Sequence, residues 1–159
     1  MGLDMYLAKR IYVGAEFDHR NVELKVDLKI GGKPIKVNEK NVLYITESAC
    51  YWRKANHIHA WFVDHVQSGE DDCGEYYVSE KDLKELRKAC IKVMEYNTPE
   101  KKKMIEHLET ILPTRRGFFF GSDEYDDYYF ETTNRTIKMI DKLLDEDMTN
   151  SEFVYRSSW

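Results

Sequence analysis

The chain has 159 residues and a net charge of −5, with 42% hydrophobic and 33% charged residues. This composition predicts one globular domain over residues 1–159 and excludes a disordered chain. We expect no binding of nucleic-acid polymers, which need many basic residues on one face, and no membrane span, because no long apolar run occurs.

Alternating apolar residues predict strands in the N-terminal part of the chain. Leu3, Met5 and Leu7 share one face of a first strand. The run from Val22 to Ile30 alternates too, and the glycine pair 31–32 separates it from a second arm, which predicts a hairpin. The short apolar run that follows predicts either a further strand or the start of a helix.

Four helices are predicted in the rest of the chain. They begin at Thr46, Ser79, Thr98 and Ser122, and the first, third and fourth end at Val66, Pro113 and about Asp145. Ser79 and Asp82 form a near capping box at the start of the second helix. The alternating tail from Ser151 predicts a last strand. The expected fold is therefore α+β: a small, mostly antiparallel sheet, which includes the N- and C-terminal strands, packed against about four helices.

Two polar residues interrupt the apolar face of the first predicted helix. At about 100° per residue, His59 falls within the cluster that includes Trp52, and Asn56 lies beside it, whereas Arg53 and His57 face the opposite, solvent side. Two interpretations stay open. In the first, both side chains are hydrogen-bonded inside the core. In the second, they line a pocket, where His59 forms a hydrogen bond to a ligand or serves as an acid or base, and Asn56 forms hydrogen bonds to a base edge or a carbonyl of that ligand.

Aromatic and hydroxyl side chains concentrate around the start of the fourth predicted helix. Phe118 and Phe120 are expected to enter the core, and Phe119 to face the other way. The hydroxyl stripe consists of Tyr125, Tyr129, Thr132 and Thr136, with Asp126 at its margin. This stripe is either a packing layer at the edge of the core or one wall of a cavity.

Basic residues upstream of this helix suggest a place for an anion. Arg115 and Arg116 precede Ser122, where the free N–H groups of a helix start would favour a phosphate. The acidic residues that follow, among them Asp123 and Asp126, oppose that binding. His57 and His59 point about 200° apart on a helix, so the spacing does not suit one metal ion. No metal and no cofactor is predicted.

Four stretches of the chain resemble a family of small proteins encoded by bacteriophages and prophages. They are MGLDMYL at the start, YWRKANHIHAWF in the first predicted helix, LPTRRGFFFGSDEYDDYY in the middle and FVYRSSW at the end. The resemblance implies a protein made in the cytoplasm of a bacterial host. Small phage proteins called sponges sequester nucleotide-type immune signals without cleaving them. Such proteins are commonly oligomers, which makes Trp61, expected to be exposed, and Trp159 candidate interface aromatics.

The first hypothesis is a non-enzymatic phage accessory protein, either a monomer or a homo-oligomer, that binds a small nucleotide-like ligand. The candidate ligand-binding residues are Trp52, Arg53, Asn56, His59, Arg115, Phe119, Tyr125, Asp126 and Tyr129. No catalytic residue is assigned under this hypothesis. The sequence predicts that these side chains converge on one cavity.

Two other functions remain open. The chain could be a protein-binding inhibitor or structural accessory of a phage, whose acidic segment meets a basic partner. That segment contains Glu70, Asp71, Asp72 and Glu75. It could also be a nucleotide-processing hydrolase that uses His59 with Asp126 or Asp4.

Overall fold

A computed structural model describes residues 2–14, 22–96 and 100–159. The strands are β1 (Asp4–Tyr12), β2 (Leu28–Ile30), β3 (Lys33–Ile35), β4 (Tyr44–Arg53), β5 (Glu75–Val78) and β6 (Ser151–Ser158). The helices are α1 (Asn56–His65), α2 (Glu80–Glu95), α3 (Lys101–Ile111) and α4 (Asp127–Leu144). The expected start of the third helix at Thr98 lies outside the described residues. In the described ranges no helix has the length and apolar character needed to cross a bilayer.

One antiparallel sheet joins the two ends of the chain. Its strand order is β4-β1-β6-β5, so the first and last strands lie side by side in its centre. Met5 and Leu7 of β1 and Tyr155 of β6 are buried and belong to the same hydrophobic core as the buried faces of the helices. The predicted α+β fold, with both terminal strands in the sheet, is confirmed.

The predicted first helix is wrong over its first ten residues, 46–55. Residues 46–53 belong to β4, which pairs with β1, and the helix begins at Asn56. Along β4, Cys50 and Trp52 are buried while Tyr51 is exposed, which is the two-residue period of a strand. Lys54 then takes a φ of 52°, a left-handed conformation that separates the strand from the helix.

Local capping signals fix the starts of two helices. Ser79 and Asp82 form the predicted capping box of α2, in which the Ser79 Oγ accepts from the Asp82 N–H at 3.1 Å. The predicted cap at Ser122 is wrong, because α4 begins five residues later. Asp126 is its cap and accepts from the Tyr129 N–H at 3.0 Å, while the Ser122 Oγ accepts from the N–H of Glu124.

Replacement of Ser79 by alanine is expected to lower the free energy of unfolding by about 1 kcal/mol, because a helix-cap hydrogen bond is lost. Urea unfolding followed by circular dichroism measures this difference. The exposed Ser158, at the end of β6, provides a control that caps no helix. Equal stability of the Ser79→Ala and Ser158→Ala variants would show that the capping box does not support α2.

The predicted hairpin is present but shorter than expected. β2 and β3 pair around Gly31 and Gly32, whose φ values of 57° and 78° match the two-residue turns that connect the strands of a tight hairpin. Residues 22–27 do not belong to a strand, although they alternate. All six side chains of the two strands are exposed. Before them, Val22, Leu24 and Val26 are half-buried and alternate with exposed neighbours.

Candidate functional site

Asn56 holds the loop between α3 and α4 against the start of α1. Its side chain is buried, and its Nδ2 donates to the carbonyls of Phe120 at 3.2 Å and Ser122 at 2.6 Å. Its Oδ1 accepts from the N–H of Arg115 at 3.2 Å. Both amide hydrogens are therefore used within the protein, and Asn56 acts as a clamp on backbone groups that the loop would otherwise leave unpaired.

His59 lies in a buried hydrogen-bond network that reaches the end of the chain. Its Nδ1 is 2.8 Å from the Tyr155 Oη, and its Nε2 is 3.0 Å from the Asp71 Oδ2. Trp159 donates its indole N–H to the other oxygen of Asp71 at 3.1 Å. The network ties the acidic loop and the last residue to the core.

The protonation of this network follows from its burial. Burial lowers the pKa of His59, although hydrogen bonding to Asp71 acts in the opposite direction. Burial also raises the pKa of Tyr155 well above its usual value. A neutral imidazole then accepts from the Tyr155 hydroxyl and donates to Asp71, so both ring nitrogens are occupied. His59 and Tyr155 are each 0% exposed, which leaves no approach for a substrate.

Two predictions about exposure on α1 are wrong. His57, expected in solvent, is 2% exposed, and its Nε2 is 3.2 Å from the Thr133 Oγ1. Its ring centroid is 4.3 Å from that of Tyr129. Trp61, expected to be exposed, is also buried. Residues 56–63 of α1 are all buried, because α1 is covered on all sides and not on one face alone.

The hydroxyl stripe of α4 is hydrogen-bonded within the core. Tyr129 donates to the carbonyl of Leu112 at 2.8 Å. The Thr136 Oγ1 accepts from the indole N–H of Trp52 at 2.8 Å and donates to the carbonyl of Thr132. Trp52 is 0% exposed. These contacts match the packing-layer interpretation of the stripe.

The phenylalanine prediction is wrong for one ring. Phe118 is 94% exposed, whereas Phe120 is buried as expected and Phe119 is partly buried. The chain turns here, with the Phe120 N–H donating to the Gly117 carbonyl at 3.2 Å, so the three rings do not alternate as they would on a strand. Alternation of side chains requires an extended backbone, which this segment does not have.

The remaining predicted ligand residues lie near the surface. Arg53 and Asp126 are exposed, and Arg115 is partly buried with a guanidinium nitrogen 3.7 Å from a carboxylate oxygen of Asp64. The Tyr125 hydroxyl accepts from the N–H of Thr114 at 3.4 Å. Arg115, Tyr125 and Asp126 thus each have an internal partner or a capping role.

Several predicted residues do meet, around a narrow crevice. Asn56, Asp126 and Tyr129 line this crevice together with Lys54 and Glu124, and its volume is about 10 Å³. That space is about the size of one water molecule. The role of these residues as ligand contacts stays a prediction, and binding of a nucleotide there would require the loop to open.

A larger cleft lies on the open face of the sheet, opposite the core. Its volume is about 340 Å³, within the range of small-molecule sites. Ala8 pairs with Ser48 on one side and Val154 on the other, and these short side chains form the floor. Cys50 pairs with Leu7, so the register shifts at this point and β4 contains a bulge.

Arginine and tyrosine side chains form the walls of this sheet-face cleft. The guanidinium of Arg156 lies 5.5 Å from the ring centroid of Tyr6, and Arg10 is paired with Glu75 at 2.5 Å. Within the described part of the chain, Arg156 forms no ion pair with a carboxylate. The cleft therefore offers an aromatic ring and, above an apolar floor, a guanidinium without an ion pair among the described residues, while Glu47 and Glu75 also line it.

Sequence reasoning missed the sheet-face cleft, although a signal was present. Tyr6, Ala8 and Arg10 alternate with the buried Met5 and Leu7, so a short residue lies between two long ones on the open face. Val154 and Ser48 complete the floor only through strand pairing, which one strand alone does not reveal.

The chain matches no protein-family model, no curated protein and no solved structure. In residues 2–14, 22–96 and 100–159, no group of three or more histidine, cysteine, aspartate or glutamate side chains is arranged to hold a metal ion.

Proposed function

We propose that this chain is a non-enzymatic binding protein for a small nucleotide-like ligand, which it holds in the sheet-face cleft. The observation that carries the proposal is Arg156, which lies against Tyr6 without a carboxylate partner among the described residues. A guanidinium binds phosphate oxygens in a bidentate manner, and a tyrosine ring stacks on a flat base.

The rest of the cleft supports the same ligand chemistry. The part of the floor formed by Ala8 and Val154 is apolar, which suits a planar ring. Arg10 on the far wall is neutralised by Glu75, and a phosphate would compete with that carboxylate for the guanidinium. Two arginines on one face thus provide a second contact for a ligand with two phosphates.

The position of the His59 imidazole favours binding without turnover. Tyr155, the hydroxyl partner of His59, alternates with Val154 and Arg156 along β6 and points into the core. His59 is therefore on the face of the sheet opposite the cleft. Asp4 and Asp126, its suggested partners in hydrolysis, are engaged elsewhere, with the Tyr51 hydroxyl and the cap of α4.

The resemblance to phage and prophage proteins gives this binding a biological setting. In an infected bacterium the ligand would be a nucleotide immune signal made by the host, and the protein would sequester it in the host cytoplasm. Removal of free signal requires affinity and abundance but no chemistry on the ligand. Sequestration is thus consistent with an accessible binding cleft and with His59, which is fully buried.

Isothermal titration with cyclic dinucleotides, ADP-ribose derivatives and AMP tests the proposal. Arg156→Gln is expected to weaken binding at least about tenfold, which corresponds to about 1.4 kcal/mol. Ala8→Leu is expected to remove binding, because the larger side chain fills the floor. Arg53→Gln is the matched control, since Arg53 is exposed at the end of β4, near the loop.

The two arginine variants distinguish the cleft from the loop site. Binding that is lost in Arg53→Gln and kept in Arg156→Gln would place the ligand at the loop. Absence of a heat signal with every ligand in the panel would contradict the proposed function.

Binding of a protein partner is a second candidate, favoured by exposed aromatic side chains. Tyr44 and Tyr77 are 46% and 64% exposed, and both lie on edge strands of the sheet. The acidic segment supports this candidate less well. Asp71 is held by His59, Asp72 accepts from the Gly74 N–H and the Tyr76 hydroxyl, and Glu75 pairs with Arg10. A purified partner that binds at one-to-one stoichiometry, with no small molecule retained, would favour this function.

A further inference from the structure

We propose that two copies of this chain associate by exchanging their β2–β3 hairpins. The arm is defined as residues 25–36, which contain the hairpin. Each arm would lie in an acidic groove beside α3 of the other copy. This inference is independent of the ligand in the sheet-face cleft. It rests on an exposed basic segment with apolar side chains and on an acidic groove with a small apolar part, which the same chain contains at separate places.

The arm exposes three large apolar side chains to solvent. Leu28, Ile30 and Ile35 are 40%, 63% and 42% exposed. A two-stranded hairpin alone is marginally stable in water, so its ordered form is expected to gain from a surface on which it can pack. The arm also contains four lysines and one aspartate, a net charge of +3.

The α3 groove has the complementary character. Its volume is about 420 Å³, and Ile105 and Tyr125 contribute apolar surface to it. Four carboxylates and two cations line it, a net charge of −2. The carboxylates are those of Glu109, Asp123, Glu124 and Asp126. Only Asp123 among them forms an ion pair with a described residue, Arg116.

The positions of the two surfaces favour exchange between copies. The arm precedes Tyr44, the first residue of β4, while the groove adjoins the start of α4, where Tyr128 donates to the carbonyl of Arg53 at the other end of β4. A ten-residue strand is about 33 Å long. Arm and groove are thus connected to opposite ends of β4, the arm through residues 37–43 and the groove directly, so the arm does not start beside the groove of its own chain.

A two-fold axis would satisfy both surfaces at once. Each arm would occupy the groove of the other copy, so both apolar segments and both acidic grooves would be covered in a closed dimer. Lysines at the rim of the arm would face the groove carboxylates. The opposite charges would attract the arm and fix its position along the groove. A stable interface of this kind needs about 1,000 Å² of buried surface.

Sedimentation velocity of the full chain tests the exchange, with circular dichroism as the control for folding. The wild-type chain is expected to be a dimer that weakens as the salt concentration rises. Ile30→Glu is expected to give monomers without loss of secondary structure, because Ile30 is exposed. Lys88→Glu, a charge reversal on the exposed surface of α2, is expected to leave the dimer intact.

A charge exchange provides the sharper test. Lys33→Glu in the arm and Glu124→Lys in the groove are each expected to weaken the dimer about tenfold, and the double variant to restore most of that loss. A wild-type monomer at every concentration would overturn the proposal. So would a dimer that Ile30→Glu leaves intact, or a double variant no stronger than the single ones.

Discussion

Replacement of Asn56 by alanine is expected to lower the free energy of unfolding by about 2–4 kcal/mol, because three backbone groups, one of them fully buried, lose their partner at once. The carbonyls of Phe120 and Ser122 and the N–H of Arg115 all bond to this one side chain. The α3–α4 loop should then exchange its amide hydrogens faster than the rest of the fold.

Urea unfolding and hydrogen exchange together measure this effect. Asn134→Ala is the matched control, because Asn134 is exposed on α4. Asn56→Asp is expected to destabilise the protein more than alanine does, since a carboxylate of nearly the same shape would face two carbonyl oxygens in a buried site. Stability equal to that of the wild type in Asn56→Ala would show that the loop does not depend on the clamp.

Acidification is expected to destabilise the protein well before its carboxylates are protonated. Burial lowers the pKa of His57 from its ordinary 6.5 to about 3. Between these two values the unfolded imidazole binds a proton and the folded one does not, so stability is lost as the pH falls. One such group lowers the free energy of unfolding by about 1.4 kcal/mol for each pH unit of acidification within this window. His59, whose pKa is also lowered by burial, acts in the same direction.

Urea unfolding between about pH 7 and about pH 5 measures this slope. His57→Gln is expected to reduce it by the contribution of one proton, while the glutamine amide can still donate to the Thr133 Oγ1. The comparison concerns the slope and not the stability at neutral pH, because the substitution also changes packing against Tyr129. An unchanged slope in His57→Gln would mean that the imidazole of His57 is protonated in the folded protein.

Elements with local signals were predictable from the sequence. The capping box at Ser79, the glycine pair of the hairpin and the alternating tail each depend on residues that are close along the chain. The strand at residues 46–53 was not predictable, because the apolar residues of this segment fit either a helical or a strand period. Pairing with β1, a contact between distant residues, decides in favour of the strand.

The candidate site was predictable only in part, for a related reason. Helical spacing identified Asn56 and His59 as polar residues within an apolar cluster, and both are buried. Their partners come from the α3–α4 loop, the acidic loop and β6, and no spacing rule connects those segments with α1. The sheet-face cleft depends in the same way on the register of three strands.

The central claim is that the open face of the sheet binds a nucleotide-like ligand. Backbone amide shifts of the isotope-labelled chain, recorded by NMR during titration with each member of the nucleotide panel, test it most directly. We predict that a binding ligand shifts the amides of Tyr6, Ala8, Val154 and Arg156 and leaves those of Asn56 and His59 unchanged. No shift with any ligand, or shifts confined to α1 and the α3–α4 loop, would contradict the account.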